Sequence, residues 1–388
     1  MANPTITMSS STSDENAFNP VSGTVTIFVD GGTVPETIFG GDRMNKYSEP
    51  LIDVGLELTT GCNLRCVHCW QGEKANSKTL KLDEIKVIIK RLAELGVASL
   101  RITGGEPMIH PNFWEIMDEA THGGLSIILR TNGTLIDEVV ARRLRDYPII
   151  FTELSVDGFT PQDHNRFRRK EGSLQKTFLA LDLLIKNGVK TRVKTVLNRW
   201  NIGGLLDLGE LLARDYAGIE MWSLVDLVPL GNTVSYFQQL MPKPLDAIRV
   251  MRPLGEWRKQ KQRYISFKVS GSALQLVMEP NEAIRLNKSL AGPCGYRTGY
   301  LYICADGSVK KCAWLNDSLG TIAEDIGQMW QSGCCKQEAS TPAECEQCEF
   351  FKQGLCGYLY YVCPGIPCFP ERKEFFHLLR ESFKNESP

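Results

Sequence analysis

Nowhere in the 388 residues is there an apolar run of the roughly 20 residues that a membrane helix needs. The opening residues 1–20 are rich in Ser, Thr and Asn but lack the basic start and apolar stretch of a secretory signal, and are expected to be a mobile tail. A surplus of either charge is missing too. With 44 Lys and Arg against 45 Asp and Glu, neither nucleic acid nor an anionic membrane is an expected partner. Cysteine is absent between Cys69 and Cys294, yet the chain holds 13: three at 62–69 and ten at 294–368. Without an export signal these thiols are expected in the reducing cytoplasm, where clustered cysteines bind metal more often than they form disulfides.

From residue 54 onward, apolar runs of strand length alternate with amphipathic helices, the pattern of a parallel sheet with crossover helices. Strands are expected at 54–59, 99–103, 126–131, 149–156, 191–197 and 220–225. The first helix shows Ile85, Ile88, Ile89, Leu92 and Leu95 on one face and stops at Gly96, and further helices centre near 116, 141, 180 and 208. Six β/α units result, and active sites of such folds sit at the carboxyl ends of the strands. A bridge at 233–290 is expected to carry a helix near 245–262 and a strand near 265–269. Asp306-Gly307 between two short apolar runs predicts a hairpin over 300–303 and 308–310.

The first strand ends in Cys62-Asn63-Leu64-Arg65-Cys66-Val67-His68-Cys69, so one tight loop can aim three thiols at a single centre. Soft thiolates suit an iron–sulfur cube, and three of them leave one of its four irons open. A structural zinc site would need a fourth ligand, for which only His68 is near. The second strand ends in Thr103-Gly104-Gly105-Glu106-Pro107, where glycines permit close backbone approach and a carboxylate can receive an ammonium group. Thr131-Asn132-Gly133 ends the third strand and Ser155-Val156-Asp157-Gly158 the fourth; as turns these dipeptides are ordinary.

Taken together, these motifs resemble the radical S-adenosylmethionine (radical SAM) enzymes. The resemblance implies a partial (β/α)6 TIM-like barrel at 51–232, preceded by an N-terminal region at 1–50. It implies a [4Fe–4S] cluster on Cys62, Cys66 and Cys69 whose open iron takes SAM, and cleavage of SAM to a 5′-deoxyadenosyl radical that abstracts a substrate hydrogen. Gly104, Gly105, Glu106 and Pro107 would meet the amino group of SAM. Asn132, Ser155, Asp157, Lys194 and Asn198 would meet its ribose and carboxylate, and His68 would lie near the adenine. The segment 163–168 resembles one that many relatives carry, and is expected as a polar, basic loop that either faces the barrel opening and touches substrate or is solvated.

The later cysteines resemble the SPASM extension of the same enzymes, a small cysteine-rich α+β domain at 291–388. By that likeness Cys294, Cys312 and Cys363 would hold one auxiliary [4Fe–4S] cluster, and Cys345, Cys348, Cys356 and Cys368 a second. A single-cluster twitch arrangement on Cys294, Cys312, Cys345 and Cys348 and a zinc-ribbon module stay open, as does Cys304 as a missing ligand. Cys334 and Cys335 fit neither scheme. SPASM-bearing members act mostly on peptides, so the implied function is modification or cross-linking of a ribosomally made peptide, with a reductant such as flavodoxin or ferredoxin. About fifty residues precede the barrel, too few for a fused peptide-recognition domain, so recognition would fall to another site or a separate protein. Radical oxidation or epimerisation of a small molecule, such as a sugar or aminocyclitol, is the alternative. Ala313 after Cys312 argues against the sulfatase-maturing type. An iron–sulfur scaffold or electron carrier without SAM chemistry is the non-radical reading, against which the 104–107 element speaks.

Overall fold

The computed structural model describes residues 51–72, 77–261, 299–315 and 317–334, with short pieces at 7–9, 24–26, 28–29, 32–33, 266–270 and 347–349 among others. Six parallel strands run in chain order as neighbours: β1 (Asp53–Glu57), β2 (Ser99–Thr103), β3 (Ser126–Thr131), β4 (Ile149–Ser155), β5 (Thr191–Val196) and β6 (Met221–Val225). Five helices cross between them: α1 (Leu82–Glu94), α2 (Phe113–His122), α3 (Glu138–Leu144), and then α5 (Ser173–Lys186) and α6 (Leu205–Asp215). The remaining helix of this stretch, α4 (Pro161–Arg168), lies at the carboxyl end of β4. This is the expected partial barrel, with every strand present.

Local sequence explains the elements. Along the strands Val54, Leu56, Leu100, Ile102, Ile127, Leu129, Leu154 and Val193 are buried, and they pack into one core with Ile85, Ile88, Ile89 and Leu92 of α1. The backbone N–H of Lys81 donates to Glu84 Oε2 at 2.7 Å to begin α1, and Gly96 in the left-handed region (φ 75°) ends it. Residues 163–168, expected as a polar loop, instead form the body of α4. Thr160 caps it by accepting from the Asp163 N–H, and Pro161 supplies the first helical position, so the segment is helical despite its polarity.

Two extensions of the sheet were not anticipated. A seventh strand, β7 (Ser266–Ser270), pairs parallel with β6, at the place where only a bridge strand was expected. On the far side, β8 (Tyr300–Ile303) pairs parallel with β1 and turns at Gly307 (φ 84°) into β9 (Ser308–Lys310) and then β10 (Gly320–Thr321). The predicted hairpin is therefore there, and it is hydrogen-bonded to the barrel's first strand. Arg91 of α1 donates to the carbonyls of Ile322 and Glu324, and Leu301, Ile303, Val309 and Trp330 join the barrel core. After β6 come α7 (Thr233–Leu240) and α8 (Pro244–Lys261), and helix α9 (Ile326–Cys334) closes the stretch after β10. Cys294, Cys335, Cys345, Cys356, Cys363 and Cys368 lie outside the described residues, as does the side chain of Cys334; Cys304, Cys312 and Cys348 are free thiols. Among the described residues no helix is long and apolar enough to cross a membrane.

Gly55 makes the β1–β8 pairing possible, since a Cβ there would lie 2.4 Å from Tyr300 Oη and 2.5 Å from Tyr302 Cδ2. Substituting Gly55→Ala is expected to cost about 1–3 kcal/mol by overpacking. Thermal unfolding should show a Tm several degrees lower, and an unchanged Tm would contradict this docking of β8.

Candidate active site

The cysteine loop leaves β1 at the carboxyl edge of the sheet, and three other elements hold it there. Gly105 N–H donates to Thr59 O at 2.7 Å and Glu106 N–H to Gly61 O at 2.9 Å, so the turn after β2 is bonded to the base of the loop. A Cβ on Gly104 (φ 155°) would lie 2.5 Å from Thr59 O, and one on Gly105 2.1 Å from Gly61 O. These glycines therefore serve the approach of one backbone to another. From α4, Phe167 O accepts from Val67 N–H at 2.9 Å. After β6, Asn232 N–H donates to Cys69 O at 2.9 Å and its side-chain amide to Cys66 O at 3.1 Å.

Glu106 is fully buried, and its carboxylate accepts from Thr131 Oγ1 at 2.7 Å, Asn132 N–H at 2.8 Å and Met108 N–H at 3.3 Å. Its visible work is to lock the 104–107 turn onto the end of β3. Burial outweighs those three bonds and lifts its pKa from 4.5 to about 7. Asn132 in turn donates its amide to Asn63 Oδ1 at 2.8 Å and points it at Cys62 Sγ at 4.0 Å. Pro107 is buried and opens a short 3-10 turn.

Cys62 is pushed up to about 12 by burial, with Cys66, Glu106 and Cys69 adding to the shift. Cys66 is raised by burial against the pull of Arg168, and feels Cys69 as well. The three thiols are thus close enough to act on one another, and the thiolate charge of Cys62 and Cys66 is undercompensated by the protein. A cationic group bound between them would supply that compensation and displace the protons. Among the described residues no three His, Cys, Asp or Glu side chains are grouped for one metal ion. Three soft thiolates from one loop suit a cube that takes one thiolate per iron. The donor set fits an iron–sulfur cluster.

Behind the loop, Arg168 pairs with Asp157, which is fully buried and also accepts from Val196 N–H at 2.7 Å. His68 stacks on Phe167 with ring centroids 4.0 Å apart, and its buried Nδ1 has no hydrogen-bond partner. Burial holds His68 well below its ordinary pKa, so it is neutral. His164 is lowered to about 3 by burial and accepts from Asp157 N–H.

The structure thus gathers Cys62, Cys66, Cys69, His68, Gly104, Gly105, Glu106, Asn132 and Asp157 into one region. Ser155 is half-buried at the end of β4, opposite Lys194. Lys194 is also half-buried, with its Nζ on Glu153, which also receives Arg130 at 3.2 Å. Asn198 is fully buried, donates to Val196 O and accepts from Trp200 N–H, so its side chain is spent on the turn after β5. Sequence reasoning had Arg168 only as the end of a basic loop, and missed Asn63, Asn232 and the interior charges Arg101, Arg130, Glu153 and Arg192. The last four were detectable as charged residues at alternate positions of apolar strands.

With its carboxyl raised, Glu106 favours the folded state below pH 4.5. Between 4.5 and about 7 the folded cluster-free chain keeps a proton that the unfolded chain has lost, so stability falls as pH rises through that window. The loss is about 3 kcal/mol by linkage. Urea unfolding at pH 4.5 and 7 should show a smaller drop in Glu106→Gln than in the wild type; equal drops would contradict the buried carboxyl.

Residues 56–210 match the family described as the radical SAM superfamily. The chain is 26% identical over 324 residues to an AdoMet-dependent heme synthase of Methanosarcina barkeri, covering 80% of this chain and 90% of that protein. It is 28% identical over 316 residues to the mycofactocin maturase MftC of Mycobacterium ulcerans, covering 80% of each. Among solved structures, Streptococcus suis SuiB bound to precursor peptide SuiA is similar with a TM-score of 0.63 at 16% identity, over 81% of this chain and 72% of that one. The anSMEcpe structure with bound AdoMet is similar with a TM-score of 0.63 at 19% identity, over 86% of this chain and 98% of that one. At residues 56–210, this chain carries a radical SAM domain.

Proposed function

We propose that the chain is a radical SAM enzyme, with a [4Fe–4S] cluster on Cys62, Cys66 and Cys69 and SAM at its open iron. The observation that carries this reading is the bonding of the cysteine loop to the Gly104–Glu106 turn as a single unit at the carboxyl edge of a parallel sheet. When bound, the cluster and SAM supply reductive cleavage of the sulfonium and abstraction of a substrate hydrogen atom. The protein's part is positional. Gly104, Gly105, Glu106 and Pro107 fix the turn that would meet the amino group of SAM, and Asn132 holds Asn63 beside Cys62. Ser155, Asp157, Lys194 and Asn198 frame the side where its ribose and carboxylate would lie, Lys194 through its pair with Glu153 and Asn198 through the backbone turn.

The substrate reading is a ribosomally made peptide, modified or cross-linked in a cytoplasmic oxidoreductase reaction. It is supported by the likeness to a mycofactocin maturase and by the fold shared with a peptide-bound enzyme. In this reading 51–232 is the catalytic barrel and 291–388 a SPASM-like domain. Its Cys294, Cys312 and Cys363, and its Cys345, Cys348, Cys356 and Cys368, would hold auxiliary [4Fe–4S] clusters. A flavodoxin or ferredoxin would deliver the electron, and a separate protein could present the peptide. The likeness to heme synthases favours a second reading, in which a heme-type tetrapyrrole is the substrate.

Anaerobically reconstituted protein, given SAM and dithionite, is expected to release 5′-deoxyadenosine, and Cys62→Ala, Cys66→Ala or Cys69→Ala should abolish it. With perdeuterated precursor peptide, deuterium should enter 5′-deoxyadenosine. Transfer from a deuterated tetrapyrrole alone would establish the second reading, and no release at all would overturn both.

A further inference from the structure

We propose that Arg168 is a positioning residue that raises the reduction potential of the cluster on Cys62, Cys66 and Cys69; this rests on the cluster reading above. Arg168 stands at the last turn of α4, and its Nη1 donates to Cys66 Sγ at 3.8 Å. Only 8% of Arg168 is exposed, so its charge acts across a medium that screens it poorly. The guanidinium cannot swing to solvent, because Asp157 grips its Nε and Nη2 and is itself fully buried. Asp157 is fixed from behind by the Val196 N–H at 2.7 Å, and the neighbouring Phe167 carbonyl fixes α4 to the loop through Val67 N–H at 2.9 Å. The donor is therefore held in register with one sulfur by both neighbouring elements.

A guanidinium is protonated at any working pH, and the Asp157 carboxylate lies against it, so the group is cationic. A cluster gains negative charge on reduction. A fixed cation and an N–H donated to a ligand sulfur stabilise that state more than the oxidised one, and raise the potential. Asp157, on the other side of Arg168, offsets part of the effect. Retaining a buried ion pair costs more than an apolar contact would if the only task were to glue α4 to the loop.

Charge sign separates this role from a structural one. The full reconstituted chain would be titrated potentiometrically with EPR detection, and the Cys62→Ala/Cys66→Ala/Cys69→Ala variant would identify signals from any other clusters. Arg168→Gln is expected to shift the midpoint of the Cys62-dependent signal to more negative values, Arg168→Lys to leave it close to wild type, and Asp157→Asn to shift it to less negative values. Shifts of Arg168→Gln and Asp157→Asn in the same direction, or no shift in either, would overturn the proposal. If Arg168→Gln binds no more iron than the triple variant, Asp157→Asn decides, and a midpoint at or below wild type overturns it. Absence of any Cys62-dependent signal in the wild type would instead remove the cluster reading itself.

Discussion

Two backbone hydrogen bonds, from Gly105 to Thr59 and from Glu106 to Gly61, hold the rest of the site in place. They exist because residues 104 and 105 carry no Cβ; a methyl group at either would fall within 2.5 Å of a carbonyl oxygen of the opposing loop. The cysteine loop has no regular secondary structure to brace it, so its shape is borrowed from its neighbours. The turn after β2 supports its base, α4 its middle and the residues after β6 its far end. A loop fixed from three sides can present thiols with little freedom left to lose on binding.

The cost of that arrangement is buried polarity. Glu106, Asp157 and Arg168 all lie beneath the surface, and each is matched by donors or acceptors from other elements. The inner face of the sheet follows the same rule. Asp53 pairs with Arg101 and Glu153 with Arg130 and Lys194, each pair joining adjacent strands, and Glu220, just before β6, pairs with Arg192 of β5. Unpaired, any of these would cost several kcal/mol. Paired, they make the barrel interior polar and nearly neutral. Glu57 extends the network to β8 by accepting from Ala305 N–H at 2.9 Å and from Gln71, two residues past Cys69.

Much of this was legible from residue types. The strands were readable because each is a short apolar run closed by glycine or a polar turn, and the three thiols because their spacing confines them to one loop. Helix α4 was missed although Thr160 and Pro161 form an ordinary helix start, because the polar residues after them hid the period. Arg168 could not be assigned from the chain alone, since the sulfur it meets is 102 residues earlier. A still longer separation in sequence hid the pairing of β8 with β1, where Gly55 yields space to two tyrosines. Lys194 and Asn198 were placed correctly at a strand and its exit, but their polar atoms have local partners that no spacing rule reveals.

The most direct test of the account is the EPR spectrum of the dithionite-reduced, reconstituted chain before and after SAM is added. A cluster with one open iron beside a preformed 104–107 turn predicts a [4Fe–4S]⁺ signal that changes on SAM binding and vanishes in the Cys62→Ala/Cys66→Ala/Cys69→Ala variant. A signal indifferent to SAM, or one that survives loss of all three thiols, would contradict it.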